Sequence, residues 1–491
     1  MDLRRLSDRA AARLTWTFFA VGLALSLWMV ARSQVGGDQL NLLARGWLLA
    51  DEGRWISYGN PMSTGGKAPG GITSLLVGLP LMVWRDHRAP TLVILVCHVL
   101  AWLILDRTLR RVFGPRERVL FAVLYWLNPW RAYFSAFLWN PNYLFLFGAV
   151  HLWACLEQRE RARFLPSFLL GAGLLLAFQI HASFLLLAVA TAFLWWRGYF
   201  KPHWTGGILG AVLAALPLVP WVLDLMAQPA ILTEADKGFL GRGLLYVFPL
   251  LRGLGYWLRY SSLAVSEKTL AFDFGDFLDP ATGARTGEAV SDAASVLLPL
   301  TLILPLLANV RLWRKWRHRR KLPAGSSDRT WLKGYILWTF LAAVVVFSLS
   351  PTTIMMWQAL IILHAAVLPL VLWAGVLGRS RHSGRVSKGV WIYAAAEVVL
   401  LVLIPLGSMH YRCAGHDGSD SFGLDLRHDH PMLHELNIHA TCPLPVNRPG
   451  GWWPDVLPEG RPYRVLGAFR SSNTVLYSRP AITPPAIGPA K

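Results

Sequence analysis

Apolar runs separated by short, mostly cationic stretches dominate the chain. Runs long enough, or nearly so, to cross a bilayer fall at about 14–31, 89–105, 119–138, 143–155, 164–178, 184–196, 204–223, 293–310, 334–349, 354–377 and 390–407. A transmembrane helix needs about 20 apolar residues. The pattern therefore predicts an all-α polytopic membrane protein of about 11 transmembrane helices. The first run lacks a small-residue cleavage site and reads as a span, not as a removable signal. Between the first two runs lies a loop, about 32–88. There Leu40, Leu43, Trp47 and Leu48 recur at helical spacing with Arg45 and Asp51 between them. That spacing predicts an amphipathic helix lying on the bilayer surface from Gln39. A Gly/Pro/Ser turn carrying Lys67 follows. The next apolar segment, Ile72 to Trp84, is interrupted by Pro80 and is short for a span, so it reads as a second interfacial helix. Counting it as a span would invert every later loop. A second long polar stretch covers about 224–292. The last run leaves a polar tail, which divides the chain into a membrane domain, 1–407, and a small extracytoplasmic domain, 408–491.

Charge fixes the orientation. The 491 residues are 54% hydrophobic and 15% charged, with mean hydropathy +0.40, which excludes a soluble globular protein. The net charge of +20 would suit nucleic acid. Its distribution argues for membrane topology instead. Segments assigned inside carry 27 basic and 7 acidic residues; those assigned outside carry 21 and 20. Cationic inner loops are the rule for membrane proteins, so the N-terminus is read as cytoplasmic and the C-terminus as outside. The 24 tryptophans suit interfacial belts. Cys97 and Cys155 lie in apolar spans. Cys413 and Cys442 share the tail, where an oxidising compartment would let them pair; two free thiols is the equal alternative.

Polar features collect on the outer side. The middles of the spans are largely apolar, whereas a transporter carries polar groups near the bilayer midplane. Asp38 follows the first span, where the chain leaves the lipid. A carboxylate there can accept the proton of an attacking hydroxyl, or serve as the N-cap of the surface helix, and the two roles are compatible. Asn140 and Asn142 flank Pro141 and are either turn residues or hydrogen-bonding partners of a sugar or phosphate. His181, in the turn Gln179–Ser183, is a proton shuttle, a metal ligand or a plain loop residue. In the stretch 238–260, Arg242, Arg252 and Arg259 alternate with Tyr246, Phe248, Tyr256 and Trp257. That composition suits a lipid phosphate with an apolar tail, or an interfacial helix in the aromatic belt. Lys67 is a further cation for such a phosphate. Glu397, inside the last span, is expected to face the bundle interior.

The order of these features resembles the GT-C superfamily of membrane glycosyltransferases, which includes protein O-mannosyltransferases and bacterial aminoarabinose transferases. That family places an acidic residue after span one on an outer loop with two juxtamembrane helices, matched by Asp38 and by Gln39–Ala50 and Gly70–Trp84. A basic inner loop follows, here Arg110-Arg111-Val112-Phe113-Gly114. A span then runs through a proline, Asn128-Pro129, to an outer turn, Leu138-Trp139-Asn140-Pro141-Asn142. Many members have Asp after the turn proline where this chain has Asn142, a weaker ligand for hard cations; a divalent metal is left open. The likeness is good over about 14–200, weaker to 407 and absent in the tail. It implies an inverting transfer from a polyprenyl-phosphate sugar to an acceptor hydroxyl of a glycan, lipid or protein. The lipid phosphate is the leaving group. In a bacterium the site would be periplasmic and the protein would sit in the inner membrane. No nucleotide-binding loop of the type G-x-x-x-x-G-K-[ST] is present.

Two other readings share the outer groove: a transporter or flippase of lipid-linked sugars, and a non-catalytic envelope-assembly protein. The topology is testable on its own. Cysteines placed at Gly114 and Gly325 are expected to be shielded from an impermeant thiol reagent in intact cells; labelling from outside at either site overturns the map.

Overall fold

A computed structural model describes residues 6–31, 35, 37–61, 66–227, 247–265, 286–316, 326–352, 354–380, 383–409, 428–429, 431–438, 456–457 and 461–462. The chain is an all-α polytopic membrane protein, as the apolar pattern predicts. The helices are α1 (Asp8–Ala31), α2 (Gly37–Glu52), α3 (Ile72–Val83), α4 (Arg88–Leu109), α5 (Pro115–Phe121), α6 (Pro129–Phe134), α7 (Leu144–Glu157), α8 (Phe164–Ile180) and α9 (Phe184–Trp196). They continue with α10 (Trp204–Ala215), α11 (Val219–Ala227), α12 (Val247–Arg259), α13 (Thr286–Leu300), α14 (Ile303–Trp316), α15 (Asp328–Ser348), α16 (Leu363–Leu377), α17 (Ser383–Met409) and the short α18 (Pro431–Glu435). Among the described residues, seven stretches are long and apolar enough to cross a membrane: 8–31, 88–109, 204–227, 292–316, 328–348, 356–377 and 383–405. They coincide with seven of the eleven expected spans. The other four correspond to the broken pair α5–α6 and to the shorter α7, α8 and α9.

Contacts sort the loops into two ends. At one end, Asp106 accepts from Arg118 (2.7 and 2.8 Å) and from Arg110 (2.8 Å). Glu117 accepts from Arg329 (2.8 Å) and Arg379 (2.9 Å). Arg111 bridges Glu157 (2.9 Å) and Asp328 (3.1 Å), which also pair with Arg163 and Arg159. Arg116 donates to the Leu6 carbonyl at 3.0 Å. Segments assigned to the cationic side by charge alone are thus joined to one another. Burial works against the Glu117 carboxylate, but the Arg329 and Arg379 guanidiniums and the Gly114 N–H outweigh it and hold the group below its usual range.

At the other end the loop between α1 and α4 folds into a compact unit. Strands β1 (Tyr58–Pro61) and β2 (Lys67–Pro69) pair antiparallel, with Tyr58 opposite Pro69. Gly70 follows with φ +82°, and a Cβ there would lie 2.6 Å from Gln179 Oε1 at the end of α8, so both backbone and space require glycine. Helices α2 and α3 close on each other glycine to glycine. A Cβ on Gly46 would sit 2.4 Å from Val77 Cγ1, and one on Gly78 would sit 2.7 Å from Leu49 Cδ2.

This corrects one expectation. Helix α2 does not lie on the bilayer with a polar face in water: residues 39–49 are all buried, Arg45 and Asn41 included. The polar positions find protein partners. Arg45 Nη1 donates to the Asn41 carbonyl at 3.0 Å, and the Trp47 indole N–H donates to Glu435 of α18 at 2.7 Å. Helix α3 does keep an exposed apolar edge, Leu79, Met82 and Val83. Its 12 residues rise only about 18 Å, short of a hydrocarbon core about 30 Å thick.

Gly46→Val is expected to wedge α2 from α3. Overpacking costs about 1–3 kcal/mol, read as a lower thermal midpoint of the purified protein, whereas the same change at exposed Gly384 is expected to leave it unmoved.

Candidate active site

The site is built from three places where the chain stops being helical. Asp38 lies in the first turn of α2, at its positive dipole end. Its carboxylate reaches across the mouth instead of capping its own helix: Oδ2 accepts from the Trp139 indole N–H at 3.0 Å. Its carbonyl accepts from Asn60 Nδ2 of the hairpin at 3.1 Å. No other hydrogen bond reaches the carboxylate among the described residues, so Oδ1 is open in a half-buried group. Burial raises the Asp38 carboxyl above the usual aspartate range. The Trp139 N–H and the Arg45 charge pull downward without cancelling it.

Trp139 is fixed by aromatic neighbours. Its ring centroid lies 4.8 Å from Trp357 and 5.9 Å from Phe137. Residues 140–143 form a 3-10 turn that leads directly into α7. Asn142 is buried inside this turn: its Nδ2 donates to the Phe137 carbonyl at 2.7 Å, and its own carbonyl accepts from His98 Nε2 at 2.9 Å. Asn140 is buried beside it. The amide oxygens of Asn41, Asn60, Asn140 and Asn142 are all buried and accept no hydrogen bond among the described residues. A hydroxyl-rich ligand or water would satisfy such acceptors.

Two cations share one phenol ring. Lys67 Nζ lies 4.3 Å from the Tyr58 centroid and the Arg45 guanidinium 5.5 Å. Ser57, next to Tyr58, donates to Asp224 of α11, and the Gly71 N–H reaches the Pro217 carbonyl at 3.5 Å, so the hairpin is tied to the α10–α11 corner.

The other expected residues fall around this centre. Arg259 donates from Nε to the Ala264 carbonyl at 2.9 Å, with its guanidinium 5.4 Å from the Trp130 ring and 5.5 Å from Tyr256. The next residue, Tyr260, donates to the Met356 carbonyl, and Met356 precedes the Trp357 that packs on Trp139. A chain of contacts thus links Asp38 to Arg259. Arg252 lies two turns earlier on the same face of α12, its guanidinium 5.8 Å from the Phe248 ring. Arg242 falls outside the described residues, as do Cys413 and Cys442. His181 caps the end of α8 and turns back on Ser183: Nδ1 accepts from the Ser183 N–H at 3.1 Å and meets its hydroxyl at 2.7 Å. The proton then resides on Nε2, and burial pushes the ring down to about 4. Glu397 does face the interior, where the positive charge that acts on it is that of Arg131 in α6; no ion pair joins the two among the described residues. Arg131 donates to the Trp126 carbonyl (2.8 Å) and to Ser26 Oγ (3.1 Å). Sequence marks Trp139 only as part of the outer turn and does not single out Trp357, Arg131 or Tyr260; each has a partner far away in the chain.

Among the described residues no group of three or more His, Cys, Asp or Glu is placed to hold a metal ion. At the 139–142 turn the side chain that replaces the family's carboxylate is turned inward onto Phe137. No step is therefore routed through a divalent metal.

No protein-family model and no curated protein matches the chain. Among solved structures it is similar to ArnT from Cupriavidus metallidurans in the apo state, with a TM-score of 0.49 and 14% identity over 80% of this chain and 76% of that one. It is similar to the same enzyme bound to undecaprenyl phosphate, with a TM-score of 0.48 and 13% identity over 80% of this chain and 77% of that one. It is also similar to the Archaeoglobus fulgidus oligosaccharyltransferase in the apo form, with a TM-score of 0.39 and 12% identity over 81% of this chain and 55% of that one. These are likenesses of overall shape.

The histidine geometry has a direct check. Nitrogen-15 spectra of the labelled protein are expected to show His181 neutral, with the proton on Nε2, down to about pH 5. A His181 signal titrating near pH 6.5 contradicts the buried pairing with Ser183.

Proposed function

We propose that the protein transfers a sugar from a polyprenyl-phosphate donor to an acceptor hydroxyl at the periplasmic face of a bacterial inner membrane, with inversion. The observation that carries this reading is Asp38: a half-buried carboxylate with one oxygen held by Trp139 and the other open, at the mouth of a membrane bundle. The GT-C resemblance in the sequence supports the same assignment. In the mechanism, Asp38 Oδ1 takes the proton of the acceptor hydroxyl as its oxygen attacks the anomeric carbon. The bond from that carbon to the phosphate oxygen breaks, and the lipid phosphate leaves with the electron pair. Lys67, with Arg252 and Arg259 on the α12 side, supplies positive charge where the leaving group gains negative charge, which favours the transition state over the bound donor. The buried amide oxygens of Asn60 and Asn140 are acceptors for sugar hydroxyls. From the tail, α18 meets the loop through Glu435–Trp47, and the His87 backbone N–H donates to the Leu436 carbonyl at 3.0 Å.

A base must be ionised to act. Because burial raises the Asp38 carboxyl, transfer is expected to fail as pH drops at a higher value than an ordinary aspartate would give. Removing a positioned base costs on the order of a hundred- to ten-thousand-fold in rate. Asp38→Asn is therefore expected to abolish transfer with normal expression, and Arg259→Gln to weaken donor binding as well. The readout is the mass of lipid A, O-antigen and glycoproteins in cells deleted for the gene and complemented with each variant. A flippase would tolerate Asp38→Asn, so wild-type glycans in that strain refute the glycosyltransferase reading.

A further inference from the structure

We propose that Trp139 is a positioning residue for the reaction: its indole N–H holds Asp38 Oδ2 and leaves Oδ1 alone to meet the acceptor hydroxyl. This rests on Asp38 being the base.

The geometry carries the argument in three steps. First, the donor is fixed independently of its acceptor. Trp139 is wedged between Trp357, Phe137 and Phe134, the last at 6.3 Å between centroids. The turn that follows is pinned by Asn142 on the Phe137 carbonyl and by His98 on the Asn142 carbonyl. The indole N–H therefore points at one spot whether or not the carboxylate is there. Second, indole is a single donor with no acceptor. It occupies one carboxylate oxygen and cannot compete with the acceptor hydroxyl by taking a hydrogen bond from it. Third, the carboxylate has no second anchor among the described residues. Its backbone is tied to Asn60, but the Trp139 bond is the hydrogen bond that fixes its side-chain torsion. Arg45, on the same helix, is the charged group that acts on Asp38 among the described residues, and its guanidinium is directed to the Asn41 carbonyl and the Tyr58 ring. Without the indole N–H, the carboxylate would rotate, and its charged form would lose its hydrogen bond in a half-buried place.

The test reads protonation of Asp38 directly. Dicyclohexylcarbodiimide reacts with protonated carboxyl groups in apolar surroundings. Native membranes holding the full chain are treated with it across a pH series, and the adduct on the Asp38 peptide is quantified by mass spectrometry. Two variants are compared with wild type. Trp139→Phe removes the N–H. Benzothienylalanine at 139 keeps the bicyclic ring and puts sulfur in place of the N–H, so packing is preserved. Loss of one hydrogen bond to a charged group is expected to move the labelling midpoint upward and to increase labelling at neutral pH by about tenfold in both variants. Transfer should slow through kcat with KM little changed. Wild-type labelling with benzothienylalanine overturns the proposal, even if Trp139→Phe is disrupted, because packing alone would then explain the residue. Transfer that persists in Asp38→Asn sinks the catalytic reading by itself. A labelling shift in the Trp139 variants would then show the hydrogen bond without a reaction to serve.

Discussion

A hydrogen bond between an indole and a carboxylate ties the mouth of this protein together. Asp38 belongs to the first outer loop and Trp139 to the break between two spans, and without that bond the two have no direct polar link among the described residues. A half-buried carboxylate is costly unless it is hydrogen-bonded or faces positive charge. Here it has a neutral donor, a nearby guanidinium and the first turn of a helix, each small. Their sum leaves the carboxyl above the usual range. The group is ionisable and unsaturated in hydrogen bonds, as a base must be. A structural carboxylate would be saturated, as Glu117 is at the other end of the molecule.

That contrast separates the two ends. The cationic loops look in the sequence like a simple topology signal. In the folded chain, four acidic residues, Asp106, Glu117, Glu157 and Asp328, act as hubs that collect arginines from different loops. Isolated surface pairs are worth little, but Asp106 and Glu117 are buried with two arginines each, and the half-buried Glu157 and Asp328 share Arg111. One end is thus locked by charge pairing. The other combines aromatic packing, single hydrogen bonds and a few ion pairs, Arg85 with Asp51 and Glu435 and Arg88 with Asp86, and keeps open acceptors.

The sequence made the spans legible because hydropathy is local: a run of apolar residues needs no partner to be recognised. It marked Asp38, the interfacial α3 and the two-ended charge distribution for the same reason. It misplaced α2. Arg45 and Asn41 look like the polar face of a surface helix, and packing by α3, by the hairpin just beyond the helix and by the distant α18 segment turns that face into an interior. Glu397 reads as inward-facing with no charge named to act on it, since Arg131 lies on a span far earlier. Asn142 is legible as a turn residue or a ligand; its amide nitrogen is spent on the Phe137 carbonyl, while its amide oxygen is buried without a hydrogen bond among the described residues.

The polar residues within the apolar spans answer one requirement. Backbone at membrane depth must be satisfied inside the protein, and this chain interrupts its helices at a π-helical turn (122–126), at Asn128-Pro129, at 140–143 and at 356–362. Each interruption frees carbonyls. Asn128 Nδ2 takes those of Leu124 (3.0 Å) and Tyr260 (2.6 Å), Arg131 takes that of Trp126, Asn142 takes that of Phe137, and Tyr260 takes that of Met356. The donors that look like scattered substrate ligands in the sequence are therefore largely spent on the backbone. What stays unpaired from that accounting, among the described residues, is Asp38 Oδ1 and the amide oxygens of Asn60 and Asn140. The need to satisfy the breaks thus selects which polar atoms stay unpaired among the described residues.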